Sequence, residues 1–228
     1  MKLLVSPSSP EEAQRSLAAD IIDVKKPSEG SLGANFPWVI RAIKAMTEKP
    51  VSAAIGDFDN KPGGAALAAY GAACAGADYI KVGLMLNDPA AAAEVIEGVV
   101  RAVKDDFPEK YVVIAAYSDY ERLGTISPFD MTPLAAAAGA DFAMIDTGRK
   151  DRRSTFEFMD TEALTRFTAM NRDAGLGTAL AGSLVFEDLP VLKRIDPEII
   201  GVRGMVCGGD RNATIREDLV ARAIAEVR

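Results

Sequence analysis

The chain contains no histidine. That absence removes the mechanisms built on imidazole: the Ser-His-Asp triad, the Cys-His pair and His-based zinc sites. Proton transfers then fall to Lys, Asp, Glu, Tyr or Cys. Cysteine is scarce as well. Cys74 and Cys207 stand far apart in no paired motif, which excludes a thiolate zinc site and implies free thiols in a reducing compartment. There is no basic excess either, the net charge being -7. Neither a nucleic acid nor an anionic membrane is therefore expected as a partner. No run approaches the ~18 apolar residues of a membrane span, and the apolar stretch at the N-terminus is too short for a signal peptide. A cytoplasmic protein is expected. No nucleotide or metal motif occurs, so no cofactor is expected. A phosphorylated ligand would have to be held by local devices such as glycine loops, helix N-termini and single arginines.

What is present is a regular alternation of strand and helix signals, at 49% hydrophobic content, enough for a full core. Residues 2–6, 20–25, 51–55, 77–83, 111–117, 142–147, 177–181 and 199–202 read as strands. Helical segments follow them in turn, from Pro10 onward and over 36–46, 65–75, 87–104, 132–138, 160–174, 187–194 and 214–227. Strands in such an order must be parallel. Eight near-equal units fit an α/β fold, a closed (β/α)8 TIM barrel that is one domain over residues 1–228. An open doubly wound sheet is the competing arrangement, but no chain is left over for a second layer. The phrase Ala-Gly-Ala-Asp precedes both the fourth and the sixth strand, as repeated helix-to-strand turns would.

Barrel chemistry sits at the C-terminal ends of the strands, where alternate strands share interior layers. Period-two alternation puts Ile21, Asp23 and Lys25 on one face of strand two, Tyr79, Lys81 and Gly83 on one face of strand four, and Phe142, Met144 and Asp146 on one face of strand six. Lys26 has the opposite parity. Lys81, mid-strand between Ile80 and Val82, needs a reason, because an unpaired buried ammonium is costly. A structural ion pair with Asp23 or Asp146 is one reason. An amine kept neutral by burial and by a second lysine, able to attack a carbonyl or take a proton, is the other. Lys150, just past strand six, is either a further partner or a solvated loop lysine. The loops after strands seven and eight carry Gly182, Ser183, Arg203, Gly204, Gly208, Gly209 and Arg211, the place where barrels commonly bind phosphate, with an arginine fork as an added device. Together these point to amine chemistry on a small phosphorylated aldehyde or ketone. The loops after strands two and six are candidates to close over the site.

The stretches Asp20-Ile-Ile-Asp-Val-Lys25, Gly30-Ser-Leu-Gly-Ala-Asn-Phe-Pro37, Ala77-Asp-Tyr-Ile-Lys-Val-Gly83, Asp146-Thr147, Ala181-Gly-Ser183, Gly201-Val-Arg-Gly204 and Gly209-Asp-Arg211 resemble the (5-formylfuran-3-yl)methyl phosphate synthases of methanofuran biosynthesis. The resemblance covers the whole chain. It implies a lyase of TIM-barrel fold, found in methanogens and in methylotrophic bacteria, that condenses two molecules of glyceraldehyde 3-phosphate with loss of phosphate and water. It implies a Schiff base on Lys25, Lys81 as general base, and Asp23, Asp146 and Lys150 in support. Lys26 departs from the family pattern, where asparagine is common. The implied partner is the triose phosphate, and a homo-oligomer is expected. A class I aldolase or isomerase acting on a sugar phosphate, or a barrel that only binds a phosphometabolite, are the alternatives.

Overall fold

In the computed structural model, which describes residues 1–228, eight parallel strands close on themselves. They are β1 (Lys2–Val5), β2 (Ile21–Val24), β3 (Val51–Phe58), β4 (Tyr79–Leu84), β5 (Tyr111–Tyr117), β6 (Phe142–Asp146), β7 (Gly177–Leu180) and β8 (Ile199–Val202). They pair in sequence order and β8 returns to β1, so the barrel, not the open sheet, is the fold. The helices are α1 (Pro10–Gln14), α2 (Pro37–Lys44), α3 (Pro62–Cys74), α4 (Pro89–Lys104), α5 (Tyr120–Leu123), α6 (Pro128–Ala138), α7 (Thr161–Asp173), α8 (Leu189–Ile195) and α9 (Glu217–Val227). Helix α4 shows why they form. Ala92, Val95, Ile96, Val99, Val100 and Val103 recur at helical spacing and are buried. Asp88 caps the start by accepting from the Ala90 N–H at 3.1 Å, Pro89 opens the first turn, and Arg101 and Lys104 occupy the last.

Several boundaries differ from those read off the sequence. The helix after β5 starts at Pro128, not Thr132, because the Ser127 hydroxyl caps it by accepting from the Asp130 N–H at 3.1 Å. The short helix α5 precedes it. Helix α8 begins at Leu189 after a 3-10 turn over Phe186–Asp188, and α9 begins at Glu217. The glycine-rich stretch after β8 holds a 3-10 turn, Gly204–Cys207. Strand β3 runs three residues past Ile55, to Phe58.

An acid stands immediately before every even-numbered strand and grips the start of the preceding odd one. Asp20 accepts from the Leu3 N–H at 2.9 Å, Asp78 from Val51 at 2.7 Å, Asp141 from Val112 at 2.6 Å and Glu198 from Thr178 at 2.6 Å. Lys44 and Lys104 pair with Asp78 and Asp141, the acids of the two Ala-Gly-Ala-Asp turns. Counted from its acid, each even strand places its first and third residues in the barrel interior and brings its fifth position to the mouth. The lowest layer is Ile21, Tyr79, Phe142 and Ile199, which lie in or against the interior apolar cluster. The middle positions are Asp23, Lys81, Met144 and Gly201, and the upper ones Lys25, Gly83, Asp146 and Arg203. Such layering is what a closed barrel imposes. Here it turns charged only above the lowest layer, toward the C-terminal mouth.

Candidate active site

Asp23 and Lys81 sit at the centre, 0% and 1% exposed. One Asp23 oxygen accepts from Lys81 Nζ at 2.8 Å and from Ser52 Oγ at 2.7 Å, and the other accepts from Ser6 Oγ at 2.8 Å. Burial alone would raise the Asp23 carboxyl, but the ammonium groups of Lys81 and Lys25 outweigh it and hold the carboxyl below its usual range. Asp23 is therefore a carboxylate with both oxygens hydrogen-bonded, the condition under which a buried charge persists.

Lys25 is placed differently. Its side chain is 9% exposed, its nearest carboxylate oxygen is Asp146 Oδ2 at 3.9 Å, and its amine lines a cavity. Burial drives the amine down, Asp146 partly restores it, Lys81 lowers it again, and the balance comes to about 8. Asp146 is 1% exposed. Its Oδ1 accepts from Lys150 Nζ at 2.6 Å and from the Thr147 N–H at 2.8 Å, whereas its Oδ2 is buried with no hydrogen-bond partner. Burial would raise this carboxyl, yet Lys150 and Lys25 bring it down to about 2. Lys150 also donates to Thr147 Oγ1 at 3.0 Å, and burial lowers its amine against the pull of Asp146. Lys25, Lys81, Asp23, Asp146 and Lys150 thus form one constellation. Lys26 leaves it for Glu29 and the Phe36 ring.

The cavity, about 580 Å³, has Lys25, Lys81, Asp146 and Lys150 on its floor side and the loops after β7 and β8 as its rim. Gly182 and Ser183 both take left-handed backbone, at φ +100 and +52. A side chain at Gly182 would collide with the Thr155 hydroxyl and lie 2.9 Å from the Thr147 nitrogen. Gly204, Gly208, Gly209 and Arg211 also line the cavity. Arg203 lines it too, but its guanidinium is committed elsewhere. It donates to Glu12 Oε2 at 2.9 Å and Oε1 at 3.2 Å, to the Ser6 carbonyl at 2.7 Å and to the Arg211 carbonyl at 2.6 Å. These bonds hold α1 and the Arg211 loop to the barrel. Among the arginines and lysines lining the cavity, Arg152 and Arg211 alone have no carboxylate within 4.0 Å.

A second buried group was not anticipated from the sequence. Tyr117 donates a short hydrogen bond to Asp57, and burial, reinforced by that carboxylate, raises its phenol well above the usual value. Strict alternation aims Asp57 out of the barrel. A bulge turns it in: Ala54 pairs with Lys81 but Asp57 pairs with Gly83, so β3 spends three residues where β4 spends two. Gly56, at φ +128, supplies the backbone freedom. A glycine inside a strand is the one sequence signal that could have found this. The loop after β2 lies over the pair. Leu32 is fully buried, its N–H donates to both Asp57 oxygens at 3.2 Å, and Ser31 Oγ donates to the Thr147 carbonyl at 2.8 Å.

Residues 3–224 match the family model described as 4-HFC-P synthase. The (5-formylfuran-3-yl)methyl phosphate synthase of Methanosarcina barkeri is 58% identical, with 99% of each chain covered. That of Archaeoglobus fulgidus is 50% identical, covering 100% of this chain and 99% of the relative. Among solved structures, a 3-hexulose-6-phosphate synthase superposes with TM-score 0.69 at 23% identity over the full length of both chains. KGPDC from Streptococcus mutans gives TM-score 0.67 at 15% identity, covering 99% of this chain and 96% of that one. These last two share the barrel. The near-complete match in sequence goes further, and by it the chain belongs to the 4-HFC-P synthase family, whose relatives are named as synthases of a furan phosphate.

Proposed function

We propose that this chain condenses two molecules of glyceraldehyde 3-phosphate into (5-formylfuran-3-yl)methyl phosphate, with loss of phosphate and water, through an imine on Lys25. The observation that carries this is the Lys25 amine, almost buried, lining the cavity and brought to about 8. Near neutral pH a useful fraction of it is the free amine, which attacks the aldehyde carbon. The open oxygen of Asp146, 3.9 Å from the amine, takes up hydrogen bonds from the hydroxyl and amine protons of the adduct as water leaves. Lys81 passes its ammonium proton to the hydroxyl that leaves as water and becomes a free amine. The protonated imine acidifies the neighbouring carbon, the freed Lys81 amine takes that proton while Asp23 keeps it aimed, and the resulting enamine attacks the second aldehyde. Expulsion of phosphate and closure to an aromatic ring then make the sequence hard to reverse.

Two substrates bring two phosphates, and the cavity offers two arginines without carboxylate partners. Arg211, with Gly182, Ser183, Gly204, Gly208 and Gly209, holds one phosphate, and Arg152 holds the other. Arg203 serves that arrangement by fixing the Arg211 loop. Arg211→Ala therefore raises KM by about ten- to a hundredfold with little change in kcat, the worth of a charge-assisted hydrogen bond. Arg203→Ala leaves Glu12 buried without its cation and lowers the melting temperature, which Arg211→Ala does not. Steady-state kinetics alongside thermal denaturation separate the two.

The test of the reading is incubation with glyceraldehyde 3-phosphate. A furan absorbance band and a borohydride-trapped adduct on Lys25 support it, and triose interconversion without a furan overturns it. The pH profile adds a check with a definite sign. Below about 8 the Lys25 amine is mostly protonated and unreactive, so kcat/KM rises about tenfold per pH unit from pH 6 and levels above that value. Asp146, at about 2, stays ionised throughout. Since its charge supports the protonated amine, Asp146→Asn moves the midpoint to lower pH, and a midpoint that stays put or rises contradicts the assignment.

A further inference from the structure

The cavity occupies the side of the mouth bounded by β1, β6, β7 and β8. The side above β3, β4 and β5 is filled. Asp57 on β3 and Tyr117 on β5 meet across β4 above Gly83, where any side chain would collide with the Tyr117 hydroxyl and with Asp57. Leu32 covers the pair and joins Ala54 and Ala115 in the interior apolar cluster. The loop that carries Leu32 is closed on itself, Lys26 N–H donating to the Gly33 carbonyl at 2.9 Å and Glu29 N–H to the Lys26 carbonyl at 3.0 Å. Gly30 takes φ +129 against Asp57, where a Cβ would collide with the carboxylate. No cation lies within ion-pair distance of Asp57, so its partners are the lid N–H and the tyrosine hydroxyl.

We infer that Asp57 is a positioning residue that latches the Leu32 loop as a plug, and that the plug closes the β3–β5 side of the mouth, so that water reaches the enamine on Lys25 only through the cavity that the two substrates fill. This rests on the triose-phosphate reading above. The chemistry makes such a shield necessary. The enamine formed on Lys25 has two outlets. It can attack the second aldehyde, forming a carbon–carbon bond. Alternatively its nitrogen lone pair can re-form the C=N bond, the enamine double bond shifts one carbon along, and the carbon–oxygen bond to phosphate breaks. Water then releases lysine and the enol of methylglyoxal. The second route is redox-neutral and returns one phosphate without any furan. A water-excluding wall suppresses it by denying the departing phosphate its hydration and the new imine its hydrolysis.

Leu32→Ala removes the plug without touching a charged group, and Asp57→Ala releases the latch. In wild-type protein phosphate and furan appear in equal amounts. In either variant the phosphate-to-furan ratio rises at least about twofold, and o-phenylenediamine traps methylglyoxal as its quinoxaline. Tyr117→Phe, which keeps the ring packed, shifts the ratio the same way by less. Hydrogen–deuterium exchange reads the latch directly. The Lys26 and Glu29 amides, hydrogen-bonded within the loop and not to Asp57, are protected in wild type and exchange in Asp57→Ala at unchanged protection of β4. A ratio unmoved in folded Leu32→Ala and Asp57→Ala overturns the shield, and protection unmoved in Asp57→Ala overturns the latch. If wild-type protein makes no furan, the triose-phosphate reading fails, and exchange still decides the latch.

Discussion

Lys25→Ala reduces turnover to background and leaves no borohydride-trapped adduct. This is the largest expected effect on activity, because every step after aldehyde binding passes through the imine. No neighbouring amine can replace it. Lys81 is held at 2.8 Å by Asp23 and Lys150 at 2.6 Å by Asp146, whereas Lys25 stands 3.9 Å from its carboxylate. Lys81→Ala behaves differently. Its adduct still forms on Lys25, but turnover falls by about 10²–10⁴-fold, the usual contribution of a positioned base. Mass spectrometry of the reduced protein and the rate of furan formation distinguish the two variants. An adduct of normal yield in Lys25→Ala, or near-normal turnover in either, would remove the lysines from these roles.

Asp23→Ala carries the largest expected effect on stability. It leaves the Lys81 ammonium buried without a counter-charge and orphans the hydroxyls of Ser6 and Ser52, all three at most 2% exposed. Breaking one side of a buried pair costs about 3–5 kcal/mol, against the ~5–15 kcal/mol that holds a typical protein folded. For a chain of this length the melting temperature drops by about 10 °C. The paired change Asp23→Leu with Lys81→Met recovers the part of that loss due to the unpaired ammonium, leaves the part due to the Ser6 and Ser52 hydroxyls, and recovers no activity. Calorimetry on both variants checks this. A single Asp23→Ala variant that melts within a degree or two of wild type would show that Lys81 finds another partner.

Much of the barrel and the inward aim of its charged side chains was legible because both follow from short-range rules. Alternation alone orients Asp23, Lys25, Lys81 and Asp146, and it turns Lys26 outward. What was not legible depends on contacts distant in sequence or on broken periodicity. Arg203 and Glu12 lie 191 residues apart, so nothing in the stretch around Arg203 tells that its fork is occupied. Arg211, a few residues on, stays without a carboxylate for the same unreadable reason. Asp57 escaped because a bulge inverts its parity, and Tyr117 because its strand reads as a uniformly apolar run. The hydroxyls of Ser6, just past β1, and Ser52, on β3, which complete the shell around Asp23, lie in stretches whose sequence gives no sign of chemistry.

The acids at the foot of the even strands carry a consequence for how this barrel tolerates change. Each side chain grips its neighbour, and the backbone N–H groups of Asp20, Asp78 and Asp141 donate back to the same residues. The acid fixes the height from which the functional positions are counted, so it serves as the zero of a ruler. A residue inserted between Asp78 and Lys81 would leave the barrel able to close, but would swing the amine to the outer face among the helices. The same insertion in the loop beyond Leu84 would move nothing in the layers. Sequence length at the base of this barrel is therefore calibrated, while length at its mouth is free to vary. Changes of substrate by loop exchange at the mouth can proceed without disturbing the amines, provided the distance from foot to charge is kept.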